Sequence, residues 1–179
     1  MKYLFCLLVF LSNHFTFSAQ KKLLPVDASS NVGFTIKNFG LTVNGRLSGL
    51  KGIIMIDEKK QVVSNIDVSV NVNSIDTKNE SRDKHLKEED YFDAKKYPTM
   101  RIKSTTITPT KIANQYILTA TLTIKDVSKT ISLPITVLRN STGYMLTGKF
   151  EINRLDYTVG KSSMVLGNLI KVNLKVLAQ

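Results

Sequence analysis

The chain has 179 residues, 25 lysines and arginines against 14 acids, a formal charge of +11, no tryptophan and one cysteine. That length suits a single domain able to build a full core without staples. A lone Cys6 excludes an intrachain disulfide, and the excess of cations points toward anionic lipid head groups, envelope polymers or nucleic acid.

Met1-Lys2-Tyr3 is followed by an unbroken apolar run from Leu4 to Leu11, and polarity returns at Ser12-Asn13-His14. A charged start and a short apolar stretch form the pattern of a secretory signal peptide. A spanning helix needs about 20 apolar residues, so residues 1–19 are expected to be cleaved near Ala19 or Gln20, leaving no transmembrane anchor. Cys6 lies inside the apolar run, not after it, which argues against a lipoprotein. The expected mature chain, residues 20–179, loses Cys6, His14 and Lys2, so its charge is about +10 and His85 is its only histidine. The expected location is the periplasm or the exterior.

Period-two alternation dominates the rest, the mark of strands with one buried face. The first strand carries Val32, Phe34 and Ile36, and Asn44-Gly45 predicts a hairpin turn. A second strand follows from Arg46 to Asp57, and a third sets Ile66, Val68, Val70 and Val72 against polar neighbours. Residues 78–96 are charge-dense without alternation and predict a short helical insertion. The fourth strand spans Thr99 to Ile107, the fifth Tyr116 to Ile124, and the sixth holds Ile131, Leu133, Ile135 and Val137. Pro134 in the sixth marks an edge or a bulge. The seventh runs from Tyr144 to Ile152, and the last sets Ile170, Val172, Leu174 and Val176 inward. Eight such strands in an all-β chain fit a closed barrel or a two-sheet sandwich, and the pattern alone leaves both open.

Several ordered motifs stand out: Val26-Asp27-x-x-Ser30, then Ser74-Ile75-Asp76-Thr77-x-Asn79-x-x-Arg82-Asp83-x-His85-Leu86, then Asp90-Tyr91-Phe92-Asp93-x-x-Lys96-Tyr97-Pro98-Thr99. Leu122-Thr123-Ile124-Lys125-Asp126 and Arg154-Leu155-Asp156-Tyr157 complete the set. Together they resemble the YceI-like family of bacterial periplasmic polyisoprenoid-binding proteins, over roughly Leu24 to Val176. The resemblance implies an eight-stranded antiparallel lipocalin-like barrel that holds a long-chain isoprenoid or fatty amphiphile, with no catalytic residue to carry over. Two departures bear on the mouth of the barrel. Gly167-Asn168 stands where Gly-Asp is usual, and Thr158 where glycine is common.

The expected ligand-binding residues are the inward series Phe34, Ile36, Phe39, Val68, Val70, Leu118, Ala120, Leu122, Leu133, Leu146 and Phe150. Ala120 and Gly148 are small residues at mid-strand and are expected to leave volume for the ligand, which is a lipid and not a cofactor. No metal site is expected: the acids Glu88, Glu89, Asp90 and Asp93 lack the spacing and central glycine of a calcium loop, and zinc lacks nitrogen and sulfur ligands. Nucleic acid is not an expected partner, because no aromatic-basic platform interleaves the lysines. Arg82, Asp83 and His85 are expected to tie the insertion to the barrel rim by hydrogen bonds. The competing reading is a hydrolase of a lipid or envelope ester acting through His85, although no G-x-S-x-G elbow surrounds any serine. The sequence leaves open the lipid's identity, the open end, and whether a homodimer shares one long chain.

Overall fold

The computed structural model describes residues 20–60 and 62–179, so the expected signal segment, residues 1–19, lies outside the described residues. In chain order the elements are β1 Gln20–Leu23, β2 Asn31–Asn38, β3 Leu41–Asp57, β4 Val62–Asp76, α1 Glu80–Leu86, β5 Thr99–Pro109, β6 Gln115–Ile124, β7 Val127–Asn140, β8 Gly143–Asn153 and β9 Leu169–Ala178. The strands form one antiparallel sheet in the order β1-β3-β2-β9-β8-β7-β6-β5-β4, and β4 pairs back onto β3 to close it. Closure removes the free edges that make open sheets prone to aggregate.

The barrel has eight staves because β1 and β2 share one. β1 pairs with the far half of β3 (Leu23 opposite Ile54) and β2 with its near half (Val32 opposite Leu47). Between them a 3₁₀ turn, Asp27–Ser29, interrupts the extended chain. The motif Val26-Asp27-x-x-Ser30 stitches this break: Leu50 N–H donates to Asp27 Oδ1 (2.8 Å), and Ser30 Oγ donates to Val26 O (2.7 Å) while accepting from Leu177 N–H (3.1 Å).

The first hairpin does not turn at Asn44-Gly45. It turns at Phe39-Gly40, both at positive φ (51° and 75°), as a two-residue turn of the twist-matched type requires. Gly45 instead lies within β3 opposite Phe34, whose ring covers it so closely that a Cβ there would stand 2.2 Å from Cζ. The local turn preference of Asn44-Gly45 loses to the cross-strand contact, and to the hydrogen bond from Thr35 Oγ1 to Asn44 Oδ1 (3.0 Å). Further along, β3 shifts register between Ser48 and Lys51. Gly52 (φ 135°) lets the bent backbone pass where a Cβ would meet Asp67 O at 2.1 Å.

The insertion is helical only over Glu80–Leu86, with Asn79 capping it by accepting from Arg82 N–H; residues 87–98 proceed in turns. Pro134 pairs with Ile117 of β6, and the β7–β8 ladder begins only at Ile135 opposite Gly148. The proline thus stands where one ladder stops and its missing N–H is tolerated.

Successive connections alternate between the barrel ends. One end collects short turns, residues 58–60, 110–114 and 141–142; the other collects the β2–β3 turn, the insertion, the 125–126 turn and the 154–168 loop. The short-turn end is solid. Leu23, Ile54, Ile56, Leu118, Ala120 and Leu133 are all at most 2% exposed there, with Tyr116, Val137, Tyr144 and Leu146 packed in the same core. Burial of such side chains stabilises by roughly 1.5–3 kcal/mol each, so this plug is a large contributor to the stability of the barrel.

Candidate functional site

Above the plug the barrel keeps an apolar cavity of about 130 Å³. Its walls are Val32, Phe34, Leu47, Val68, Val70, Met100, Leu122, Phe150, Ile152, Ile170, Val172 and Leu174, with Phe92, Tyr157 and Val159 contributed by the insertion and the β8–β9 loop. A second chamber of about 60 Å³ adjoins it under the β2–β3 turn, where Ile36, Asn38, Val43, Leu86, Tyr91 and Leu166 add to the lining. The two share Phe34, Phe92, Arg154, Val159 and Ile170, so these side chains form the partition.

The expected ligand-binding residues therefore divide by height. Phe34, Val68, Val70, Leu122 and Phe150 line the main cavity, and Ile36 lines the second chamber. Leu118, Ala120, Leu133 and Leu146 are buried in the core without facing the cavity. Phe39 sits at the tip of the first hairpin, 72% exposed. Nor do Ala120 and Gly148 leave volume: Ala120 is fully buried, and a Cβ on Gly148 would meet Ile135 Cγ2 at 3.1 Å and Leu133 Cδ1 at 3.2 Å. The neighbours have closed over the small residues, and the space lies instead in the Val/Ile-lined half.

Arg154 organises the capped end. It is 2% exposed, and its guanidinium donates to Gly167 O (3.0 Å), Val159 O (2.8 Å), Lys161 O (2.7 Å) and Asn168 Oδ1 (3.1 Å). These bonds gather the β8–β9 loop into a floor for the cap, and burial lowers the arginine's pKa. The two family departures are both here: Asn168 is a partner of Arg154, and Thr158 takes the left-handed conformation (φ 54°) that glycine would adopt freely. Tyr157, packed beside it, has its pKa raised by burial first and by Asp156 second.

The insertion is tied down at Thr77. Asp83 Oδ1 accepts from Thr77 N–H (2.9 Å) and Oγ1 (2.5 Å), while Arg82 donates to Thr77 Oγ1 (2.7 Å) and Thr77 O (2.9 Å). His85 does not share this work. It is exposed, its Nδ1 stands 3.0 Å from Glu88 Oε2, and its ring meets Tyr91 edge-on with centroids 4.8 Å apart. The i,i+3 spacing closes that contact within the insertion, so the histidine never reaches the rim. Outside the cap, a polar cleft joins Asp90, Asp93 and Lys96 to Lys125, Asp126 and Lys161; alternation puts Phe92, Ile124 and Val159 inward and their neighbours outward.

Phe92, Arg154, Tyr157 and Val159 are cavity residues that the alternation did not select; Val172 it set inward, but outside the expected ligand-binding series. Phe92, Arg154 and Tyr157 stand within the motifs, which was the available signal; Tyr157 and Val159 follow a 3₁₀ turn and are out of phase with Phe150 and Ile152.

A family model describing the YceI-like domain matches residues 25–178. The chain belongs to the YceI-like family. Among curated relatives, a UPF0312 protein of Photorhabdus laumondii is 32% identical over 103 residues, 57% of this chain and 53% of its own, so the match spans about half that relative's length. Of solved structures, BcnA of Burkholderia cenocepacia superposes with a TM-score of 0.79 at 24% identity, covering 87% of this chain and 99% of that one. A polyisoprenoid binding domain of Saccharophagus degradans, implicated in plant cell wall breakdown, superposes at 0.69 with 17% identity, covering 88% and 97%. At these identities the two structures show the YceI-like barrel fold.

Proposed function

We propose that this protein is exported and sequesters or carries the hydrocarbon chain of a long lipid, isoprenoid or fatty, without acting on it chemically. The observation that carries the reading is the apolar cavity, plugged at one end and capped at the other, with the one buried cation in its lining engaged by backbone carbonyls and Asn168. The other cation in the lining, Arg101, is paired with Asp67, so among the described residues no unpaired charge in that wall selects a head group and tail burial drives binding. Each methylene removed from water is worth about 0.8 kcal/mol, or on the order of 16 kcal/mol gross for a 20-carbon tail. Ordering and desolvation reduce this to roughly 0.3 kcal/mol per heavy atom for ligands of this size.

The volume sets a condition. A cavity of about 130 Å³ is close to the roughly 150 Å³ engineered cavity that holds one benzene. A long tail must therefore part Phe34 from Phe92 and occupy the second chamber as well. The resemblance of the barrel to a polyisoprenoid binding domain supports the choice of ligand class.

The test is organic extraction and mass spectrometry of protein purified from its host, followed by reloading with geranylgeraniol. Val172 lies opposite both Phe34 and Phe150, so Val172→Trp fills the cavity and is expected to cut loading severalfold while the fold survives. Equal loading of wild type and variant would sink the site. An ester hydrolase is disfavoured because the His85–Glu88 pair is exposed and outside the cavity lining. His85→Ala is expected to leave lipid uptake unchanged.

A further inference from the structure

Ten large apolar side chains are exposed among the described residues, and five of them belong to one corner: Phe39, Leu41, Met164, Val165 and Leu169. Their clustering is structural. Phe39 N–H donates to Val165 O (2.8 Å), Asn38 bridges Leu166, and Gly167 N–H donates to Lys37 O (2.8 Å), so the β2–β3 turn and the 162–169 loop form one surface. Phe39 and Leu41 are each 72% exposed and Met164 is wholly so. Contiguous exposed apolar surface of this kind marks an interaction site.

Two further features say what covers it. Lys37 stands two residues before Phe39 on the hairpin that carries the patch, and the chain as a whole has a formal charge of +11. A greasy tip beside Lys37, on a strongly cationic chain, is complementary to an anionic bilayer, which takes apolar side chains into its interface and attracts lysines to its head groups. The patch also sits on the rim of the second chamber: Asn38 and Leu166, between Phe39 and Val165, both line that chamber. Among the described residues no helix is long and apolar enough to cross a membrane.

We infer that this corner is a membrane-docking surface for anionic lipid bilayers and that the second chamber behind it is the portal through which a tail enters the barrel. The portal half rests on the lipid-carrier reading; the docking half does not.

The experiment is cosedimentation of the purified protein with vesicles of phosphatidylcholine containing one quarter phosphatidylglycerol, and with vesicles of phosphatidylcholine alone. The variant combines Phe39→Asn, Leu41→Thr and Met164→Ser. Asn-Gly suits the positive-φ turn better than Phe-Gly, so this variant keeps the hairpin. Ile112→Ser, at an exposed side chain in the β5–β6 turn of the opposite end, is the control. The expected result is binding to anionic vesicles that weakens about tenfold in the triple variant and not in the control. Binding should also fall at roughly 1 M salt, where the screening length is about 3 Å. Undiminished binding by the triple variant overturns the proposal. So does equal binding to both vesicle types, or a dimer that the three substitutions dissolve without any vesicle binding. Loading of geranylgeraniol from detergent micelles separates the two claims: if wild type docks on vesicles but never loads, the surface stands and the carrier reading falls.

Discussion

Arg154 carries a full positive charge into a site where its partners are carbonyl oxygens and the amide of Asn168. Carbonyl dipoles satisfy its donors but leave its charge without a counterion. Asn168→Asp places a carboxylate at the same 3.1 Å contact and is expected to stabilise by about 1 kcal/mol. The pKa of the new acid would be lower folded than unfolded. The gain should therefore be full above the ordinary carboxylate range and vanish as pH falls through the folded value, which urea titrations at several pH values would show. An existing carboxyl follows the same rule. Asp76 is held down to about 2, from 3.8, first by hydrogen bonds from the Lys78 side chain and backbone and then by Arg46. Its contribution is present above 3.8 and disappears as pH falls toward 2, so Asp76→Asn should flatten that part of the acid limb of melting temperature against pH.

At the scale of elements, the β2–β3 pair shows how a wall and a ligand site are one object. Phe34 lies over Gly45, which keeps its ring against the wall while it lines both chambers. Gly45→Val removes that berth and drives the ring toward the lumen. Geranylgeraniol loading should drop severalfold, with a cost of about 1–3 kcal/mol from overpacking. An unchanged binding stoichiometry would show that the ring finds another seat. The same pair explains what the alternation could reveal. Period two identified the eight staves, because each strand buries one face whatever its partner. It misplaced the first turn because Asn44-Gly45 carries a strong local signal that a ring on the neighbouring strand overrides. It also could not rank the inward residues by height. Leu118 and Leu122 are alike in the pattern, yet one packs into the core while the other faces the cavity. That difference comes from the cap, whose contributors Phe92, Tyr157 and Val159 lie where regular alternation ends.

Across the whole molecule, solid packing and the hollow interior occupy opposite ends. The short-turn end is packed solid, and the capped end carries the cavity, the buried arginine and the exposed apolar corner. Ala120, which its size alone marks as a place with room for a ligand, belongs to the first group. Ala120→Phe should cost the fold several kcal/mol, whereas Val172→Trp tests the second.

The ladder between β7 and β8 runs only from Ile135–Gly148 to Asn140–Gly143, so β7 from Val127 to Pro134 faces β8 with no rungs, bridged outside by Lys129 and Asp156 at 3.8 Å. Every second backbone amide along that half of β7 should trade its proton for deuterium quickly while its neighbours, bound to β6, stay protected. A tube with no ladder pairing along one seam, beside the hollow half of its interior, is expected to widen there first when a thicker guest enters.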